Sequence, residues 1–110
     1  MRAFMTYMMC MPGKKMTFMG TEFAQFREWD YDNSLEWFMV EYPNHKAFRE
    51  YVAALNAFYL KHSELWDIDF DEDGFRWYLA DEADKNVVAY RRINKKGDYL
   101  IVALNFSGGE

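Results

Sequence analysis

The feature that most constrains this chain is a change in its hydrophobic period near residue 67. Before that point, large apolar side chains recur at spacings of three and four residues, which is typical of an amphipathic helix. After it, three β-rich runs are separated by turns that contain Gly, Asn and Asp. This order predicts an α+β fold, with a helical part over residues 1–66 and a β part over residues 67–110. The helical stripe consists of Phe48, Tyr51, Val52, Leu55, Phe58 and Tyr59.

Helix breakers and glycines predict where the elements of the helical part end. Residues 1–11 form a first helix that stops before Pro12, because proline cannot continue the hydrogen-bond ladder. Residues 15–19 are a short apolar run closed by Gly20, which favours a buried strand of a parallel sheet. The apolar stripe predicts a second helix over residues 45–61.

The β part begins with an acidic bend and continues as a predicted antiparallel meander. Asp67, Asp69, Asp71 and Asp73 alternate along the bend. The ligands of an EF-hand calcium loop also alternate, but the residues that follow Gly74 do not continue that pattern. We therefore favour a solvated acidic turn over a metal site, and the sequence predicts neither a metal nor a cofactor. The three predicted strands cover residues 75–79, 86–92 and 99–106.

Charge and cysteine content exclude several classes of partner. The 13 Lys and Arg residues against 18 Asp and Glu residues leave a formal net charge of −5. Because phosphate binding needs clustered basic residues, nucleic acid is not an expected partner. No apolar run approaches the roughly 20 residues of a membrane span, so no membrane contact is expected. Cys10 is the only cysteine, which rules out an internal disulfide and favours a cytoplasmic protein.

The segment from residue 21 to 44 has no clear period, and long segments of this kind are usually functional or partly helical. Trp29 lies in it among carboxylates and amides, where an exposed ring would suit the apolar face of a sugar. Tryptophan is more commonly a buried anchor, and in this context the residues alone leave the two roles open. Glu22 and Glu28 also have two open roles: the paired carboxylates of a glycosidase, or structural residues that bond backbone or Arg27 within the loop.

The order of motifs along the chain resembles one family closely. Pro-Gly-Lys-Lys-Met-Thr-Phe-Met-Gly at residues 12–20 precedes Glu-Phe-Ala-Gln-Phe-Arg-Glu-Trp at residues 22–29. Leu-Glu-Trp at 35–37, Leu-Asn-Ala-Phe-Tyr at 55–59 and Val-Ala-Leu-Asn-Phe at 102–106 continue the match. In this respect the chain resembles bacterial 1,4-α-glucan (glycogen) branching enzymes, of the α-amylase superfamily.

The resemblance implies a place for each element. Residues 15–19 and 45–61 would be the last strand and last helix of a TIM (β/α)8 barrel, and residues 67–110 the first antiparallel strands of a C-terminal β-sandwich domain. The loop between strand and helix would border the groove that binds α-glucan. The resemblance therefore implies substrate-binding roles for Trp29 as a sugar platform and for Gln25, Glu28 and Glu22 beside it.

The same resemblance implies that no residue of this chain is catalytic. The nucleophilic Asp, the acid/base Glu and the second Asp of the superfamily lie on earlier barrel strands, so this portion alone is expected to be inactive. A different class stays open, namely a stand-alone carbohydrate-binding or structural module. Departures from the family pattern affect local loop contacts and include Glu36, where Asp is usual. Unpaired edges at residues 15–19 lead us to expect that the isolated chain self-associates.

Overall fold

The computed structural model describes residues 1–108 and begins with helix α1, Arg2–Cys10. The helix ends as predicted, because Met11 takes an extended conformation and Pro12 follows it. Gly13 then turns the chain with a φ of 108°, in the left-handed region that glycine adopts without strain. Within residues 1–108, no helix is long and apolar enough to cross a membrane.

A strand was predicted over residues 15–19, but these residues form none in this structure. Met16 is 79% exposed and Phe18 is 57% exposed, so the prediction of a buried strand is wrong for the chain as described. The physical reason is that a strand exists only where its backbone pairs with a neighbouring strand, and within residues 1–108 no strand pairs with this segment. The sheet formed within residues 1–108 is antiparallel and lies in the β part.

Helix α2 spans Pro43–Lys61 and starts two residues before the predicted boundary. Proline is favoured at the first helical position, where its missing N–H is not needed. The predicted stripe meets α1, and Phe48 and Val52 are buried in one cluster with Met5. Farther along, Phe58 is exposed, so the stripe is only partly covered.

The β part is the predicted meander. Strands β1 (Phe75–Leu79), β2 (Val87–Ile93) and β3 (Tyr99–Asn105) form one sheet in the order β1-β2-β3. Both pairings are antiparallel, with Phe75 opposite Arg92 and Tyr90 opposite Val102. The α+β class is therefore confirmed as two helices with a three-stranded antiparallel sheet.

A shared core joins the two predicted parts. Cys10 of α1 and Leu65, just after α2, are buried against Tyr90, Val102 and Leu104 of the sheet. The ring of Tyr7 meets the ring of Tyr90 edge to face at 6.5 Å. Residues on both sides of position 67 thus pack in one hydrophobic core. The division into two domains stays a prediction.

At the centre of this junction lies the side chain of Arg92, which is 1% exposed. Its guanidinium donates hydrogen bonds to the carbonyl oxygens of Cys10 at 2.8 Å, Leu65 at 3.1 Å and Gly74 at 3.3 Å. It also donates to the carboxylate of Asp69 at 2.6 Å. One buried cation therefore links α1, the end of the helical part, the acidic bend and the sheet.

Candidate functional site

The segment singled out in the sequence begins at a sharp turn. Gly20 has a φ of 86°, and a Cβ there would lie 2.9 Å from the side chain of Gln25. The turn leads into a short 3-10 helix, Thr21–Phe23. Phe23 is fully buried and packs on the ring of Trp37 with centroids 5.2 Å apart, while Nδ1 of His45 lies 2.8 Å from its carbonyl oxygen. These contacts attach the start of the following loop to α2 and join that start to Trp37 at the loop's other end.

Two polar side chains then close the loop. Gln25 accepts a hydrogen bond from the backbone N–H of Glu36 at 2.9 Å and donates one to the carbonyl of Arg27 at 3.3 Å. The carboxylate of Glu36 accepts a hydrogen bond from the backbone N–H of Arg27 at 3.1 Å. We call residues 27–36 the platform loop, because its two ends are joined and its middle faces solvent.

Asp30 orders the tip of the platform loop. Its carboxylate accepts hydrogen bonds from the backbone N–H of Asp32 at 3.0 Å and from the side-chain amide of Asn33 at 2.8 Å. These two bonds, with the amide of Asn33 the larger cause, hold the pKa of Asp30 below its ordinary value. The guanidinium of Arg27 lies 3.6 Å away, in an exposed ion pair. The tip is therefore built from local hydrogen bonds rather than from burial.

The platform loop presents a pair of aromatic rings. Trp29 is 59% exposed and Tyr31 is 79% exposed, and their centroids lie 5.9 Å apart with the planes inclined by 32°. Phe18 approaches Trp29 edge to face at 6.3 Å. The rings of Trp29 and Tyr31 have similar orientations and offer apolar surface beside polar groups. Such a surface suits a flat, partly apolar ligand such as a sugar ring.

The four residues expected to bind substrate lie in different environments. Trp29 and Glu28 are neighbours in the sequence, and both side chains are exposed to solvent. The amide of Gln25 is engaged within the loop. Glu22 lies in the 3-10 helix at the base of the loop and is half-buried. The sequence did not indicate the role of Glu36 in closing the loop, because a contact nine residues along an irregular segment has no periodic signal.

A separate cleft of about 720 Å³ lies beside the acidic bend and is lined by residues 66–73. Two of its carboxylates accept backbone hydrogen bonds: Asp67 accepts from the N–H of Lys95 at 3.1 Å, and Asp71 accepts from that of Asp73 at 3.0 Å. The side chain of Asp69 is only 8% exposed and pairs with Arg92, so the prediction of a solvated acidic turn is wrong for this residue. Across residues 1–108, no group of three or more His, Cys, Asp or Glu side chains is arranged to hold a metal ion.

Comparison with known proteins gives consistent matches across almost the whole chain. It is 40% identical over 107 residues to the 1,4-α-glucan branching enzyme GlgB of Pseudomonas fluorescens. It is 41% identical over 108 residues to the enzyme of Halothermothrix orenii and 44% identical over 109 residues to that of Clostridium perfringens. Each match covers 97% of this chain. The chain is homologous to a portion of bacterial 1,4-α-glucan branching enzymes.

That portion is a small share of the relatives. The chain spans 14% of the Pseudomonas enzyme, 16% of the Clostridium enzyme and 17% of the Halothermothrix enzyme. No family model matches the chain. The resemblance noted in the sequence is thus confirmed as homology to part of these branching enzymes.

Proposed function

We propose that this chain is the C-terminal portion of a branching enzyme, which transfers α-1,4-glucan chains to form α-1,6 branches in glycogen synthesis. In this proposal residues 1–66 end the catalytic TIM barrel and residues 67–110 begin a β-sandwich domain. The chain contributes one wall of the glucan groove. The observation that supports the proposal is the exposed pair of Trp29 and Tyr31, presented by an ordered loop in a chain homologous to branching enzymes.

The chemistry of the loop suits binding rather than bond cleavage. A sugar ring has an apolar C–H face and a rim of hydroxyl groups, so it needs an aromatic surface and nearby hydrogen-bond partners. Trp29 and Tyr31 offer the surface, and the exposed carboxylate of Glu28 is a hydroxyl acceptor beside it. We propose that Gln25 acts mainly through the loop, because both ends of its amide are hydrogen-bonded there. Glu22 would border the groove from the base of the loop.

Binding of maltoheptaose to the chain, measured by isothermal titration calorimetry, tests the platform without relying on Trp29 as the reporter. Trp29→Ala should weaken binding about tenfold or more, which corresponds to about 1.4 kcal/mol. Phe70→Ala is the matched control, because Phe70 is an exposed aromatic residue on the acidic bend. Equal affinity of the Trp29 variant and the native chain would refute the role of Trp29 as a sugar-binding platform. In a full-length enzyme that carries this segment, the Trp29 change should raise KM while leaving Tm nearly unchanged.

We also propose that the isolated chain neither branches nor hydrolyses α-glucan. The resemblance places the catalytic carboxylates of the superfamily on other strands, and their joint contribution to rate is many orders of magnitude. Iodine staining and reducing-end assays on amylose measure both activities. Turnover that disappears in Glu22→Gln or Glu28→Gln would contradict the proposal and make these two residues catalytic.

A stand-alone carbohydrate-binding module is the second candidate, supported by the fact that the platform loop is closed by side chains of this chain. Extension of the reading frame upstream through the remaining barrel strands would favour the enzyme, and a stop codon there would favour the module. For either candidate we propose a cytoplasmic location, because Cys10 is unpaired, as is usual in reducing compartments.

A further inference from the structure

Strand β3 lies at one edge of the sheet, because the strand order is β1-β2-β3. An edge strand presents unpaired backbone groups, and these recruit other strands unless the edge is protected. The opposite edge strand, β1, is short, carries Arg76 and shifts its register between Trp77 and Leu79. In contrast, β3 has seven residues, no charged side chain, no proline and a continuous register with β2. The β3 edge is therefore the unprotected one.

Hydrogen bonds at both ends of the β2–β3 pair show which residues of β3 bond to β2. The backbone N–H of Phe106 donates to the carbonyl of Asn86 at 2.8 Å. At the other end, the backbone N–H of Asn94 donates to the carbonyl of Asp98 at 3.0 Å. Opposite residues of an antiparallel pair alternate between bonded and non-bonded along the strands. The even-numbered residues of β3 are therefore the ones that bond to β2.

The odd-numbered residues of β3 direct their backbone to the free edge of the sheet. The N–H and C=O groups of Tyr99, Ile101 and Ala103 face away from β2. Within residues 1–108, no other backbone group bonds to them. The same three side chains are exposed, because Val102 and Leu104 occupy the face of the strand that packs on the core. The outward groups are thus evenly spaced and centred on Ile101.

We propose that a second copy of this chain pairs along the β3 edge, antiparallel and about a two-fold axis at Ile101. A dimer with such an axis needs a surface that is complementary to itself. With the axis at Ile101, this residue lies opposite its own copy, and Tyr99 lies opposite the partner's Ala103. Each of these positions exchanges both backbone hydrogen bonds with its counterpart. The two three-stranded sheets then form one continuous antiparallel sheet.

The side chains at the edge also fit a second copy. Ile101 is 61% exposed and would meet an identical β-branched side chain, which is a favourable cross-strand pair. The large ring of Tyr99 would lie opposite the small side chain of the partner's Ala103. Because β3 carries no charge, the net charge of −5 places no like charges opposite each other within the pair. The inference concerns the 110-residue chain and does not rest on glucan binding.

Sedimentation equilibrium of the 110-residue chain measures dimer formation. Ile101→Lys places like charges opposite each other at the axis and should weaken dimerisation about tenfold or more. Phe70→Lys is the matched control, because it also replaces an exposed apolar side chain with lysine, but on the acidic bend. It should dimerise like the native chain. A native chain that stays monomeric at millimolar concentration would overturn the proposal, and so would equal dimerisation of the native chain and Ile101→Lys.

Mixing two charge variants tests the position of the axis. Ile101→Glu, like Ile101→Lys, should dimerise poorly by itself. An equimolar mixture of the two should recover dimers that contain one chain of each kind, because opposite charges then face each other across the axis. Native mass spectrometry distinguishes the mixed dimer from the two symmetric ones. A mixture that dimerises no better than its components would overturn an axis at Ile101.

Hydrogen exchange of the native chain tests the edge without any substitution, and it decides if circular dichroism shows that the charge variants do not fold. The amides of Tyr99, Ile101 and Ala103 should exchange quickly in dilute solution and more slowly as the protein concentration rises. The amides of Leu100 and Val102 bond to β2 and should exchange slowly at every concentration. Exchange at the three odd-numbered positions that does not change with concentration, while other segments become protected, would show that the copies associate elsewhere and would overturn the proposal.

Discussion

Removing the anion that faces Arg92 should cost this protein much of its stability. Asp69→Asn keeps the size of the side chain but leaves the guanidinium, which is 1% exposed, without a compensating charge. The carboxylate of Asp69 also accepts the backbone N–H of Gly13 at 2.8 Å, and an amide nitrogen turned toward that N–H would bring two donors together. Breaking a buried pair by removing one partner typically costs about 3–5 kcal/mol.

The magnitude is large compared with the stability of a domain of this size, which is typically about 5–15 kcal/mol. Arg92→Met should be at least as severe, because it leaves the carbonyl oxygens of Cys10, Leu65 and Gly74 without their donor. Each buried carbonyl left unpaired costs about 1–3 kcal/mol. The double variant Arg92→Met with Asp69→Leu should lose less than the sum of the single losses, since no isolated charge then remains buried.

Urea unfolding at low protein concentration, followed by tryptophan fluorescence and far-UV circular dichroism, measures these losses. Lys85→Met is the control, because it breaks an exposed ion pair with Glu82 and should leave the midpoint unchanged. An Asp69→Asn variant that unfolds at the native urea concentration would refute the reasoning. It would mean that water reaches the guanidinium and replaces the lost carboxylate.

Three further predictions concern pH, thiol reactivity and assembly. The pKa of Asp67 lies below its ordinary value of 3.8, chiefly because the carboxylate accepts a hydrogen bond from the backbone N–H of Lys95. The stability that Asp67 contributes at higher pH should therefore be lost as the pH falls from 3.8 through the lowered pKa. In acid unfolding curves, Asp67→Asn should flatten this loss. Cys10 is buried, and burial raises the pKa of its thiol. A disulfide reagent should therefore react with it only as fast as the chain unfolds. Rapid reaction in native buffer would show that α1 is not stably packed. Large exposed apolar side chains, among them Met16, Phe18 and Ile101, should make the isolated chain self-associate in light scattering, and a monodisperse monomer with protected amides at residues 15–19 would contradict this.

Local patterns in the sequence were sufficient for most of the secondary structure. The stop at Pro12, the stripe around Phe48 and Val52 and the three β-rich runs correspond to elements that the structure contains. These signals are strong because each depends on neighbours within a few residues: a missing N–H, one face of a helix, or alternation along a strand. The homology to branching enzymes was also readable from the chain, through motifs in a fixed order.

Tertiary structure alone decided the contacts that join distant segments. Arg92 appears in the sequence as one of two adjacent arginines in a strand, yet it is the buried centre of the junction, whereas Arg91 lies over the ring of Tyr99. Glu36 likewise closes a loop that has no period to predict it. Residues 15–19 have the composition of a strand but form none, because pairing needs partners that local composition cannot supply. Such contacts depend on where separate segments meet, and that is set by the packing of the whole chain.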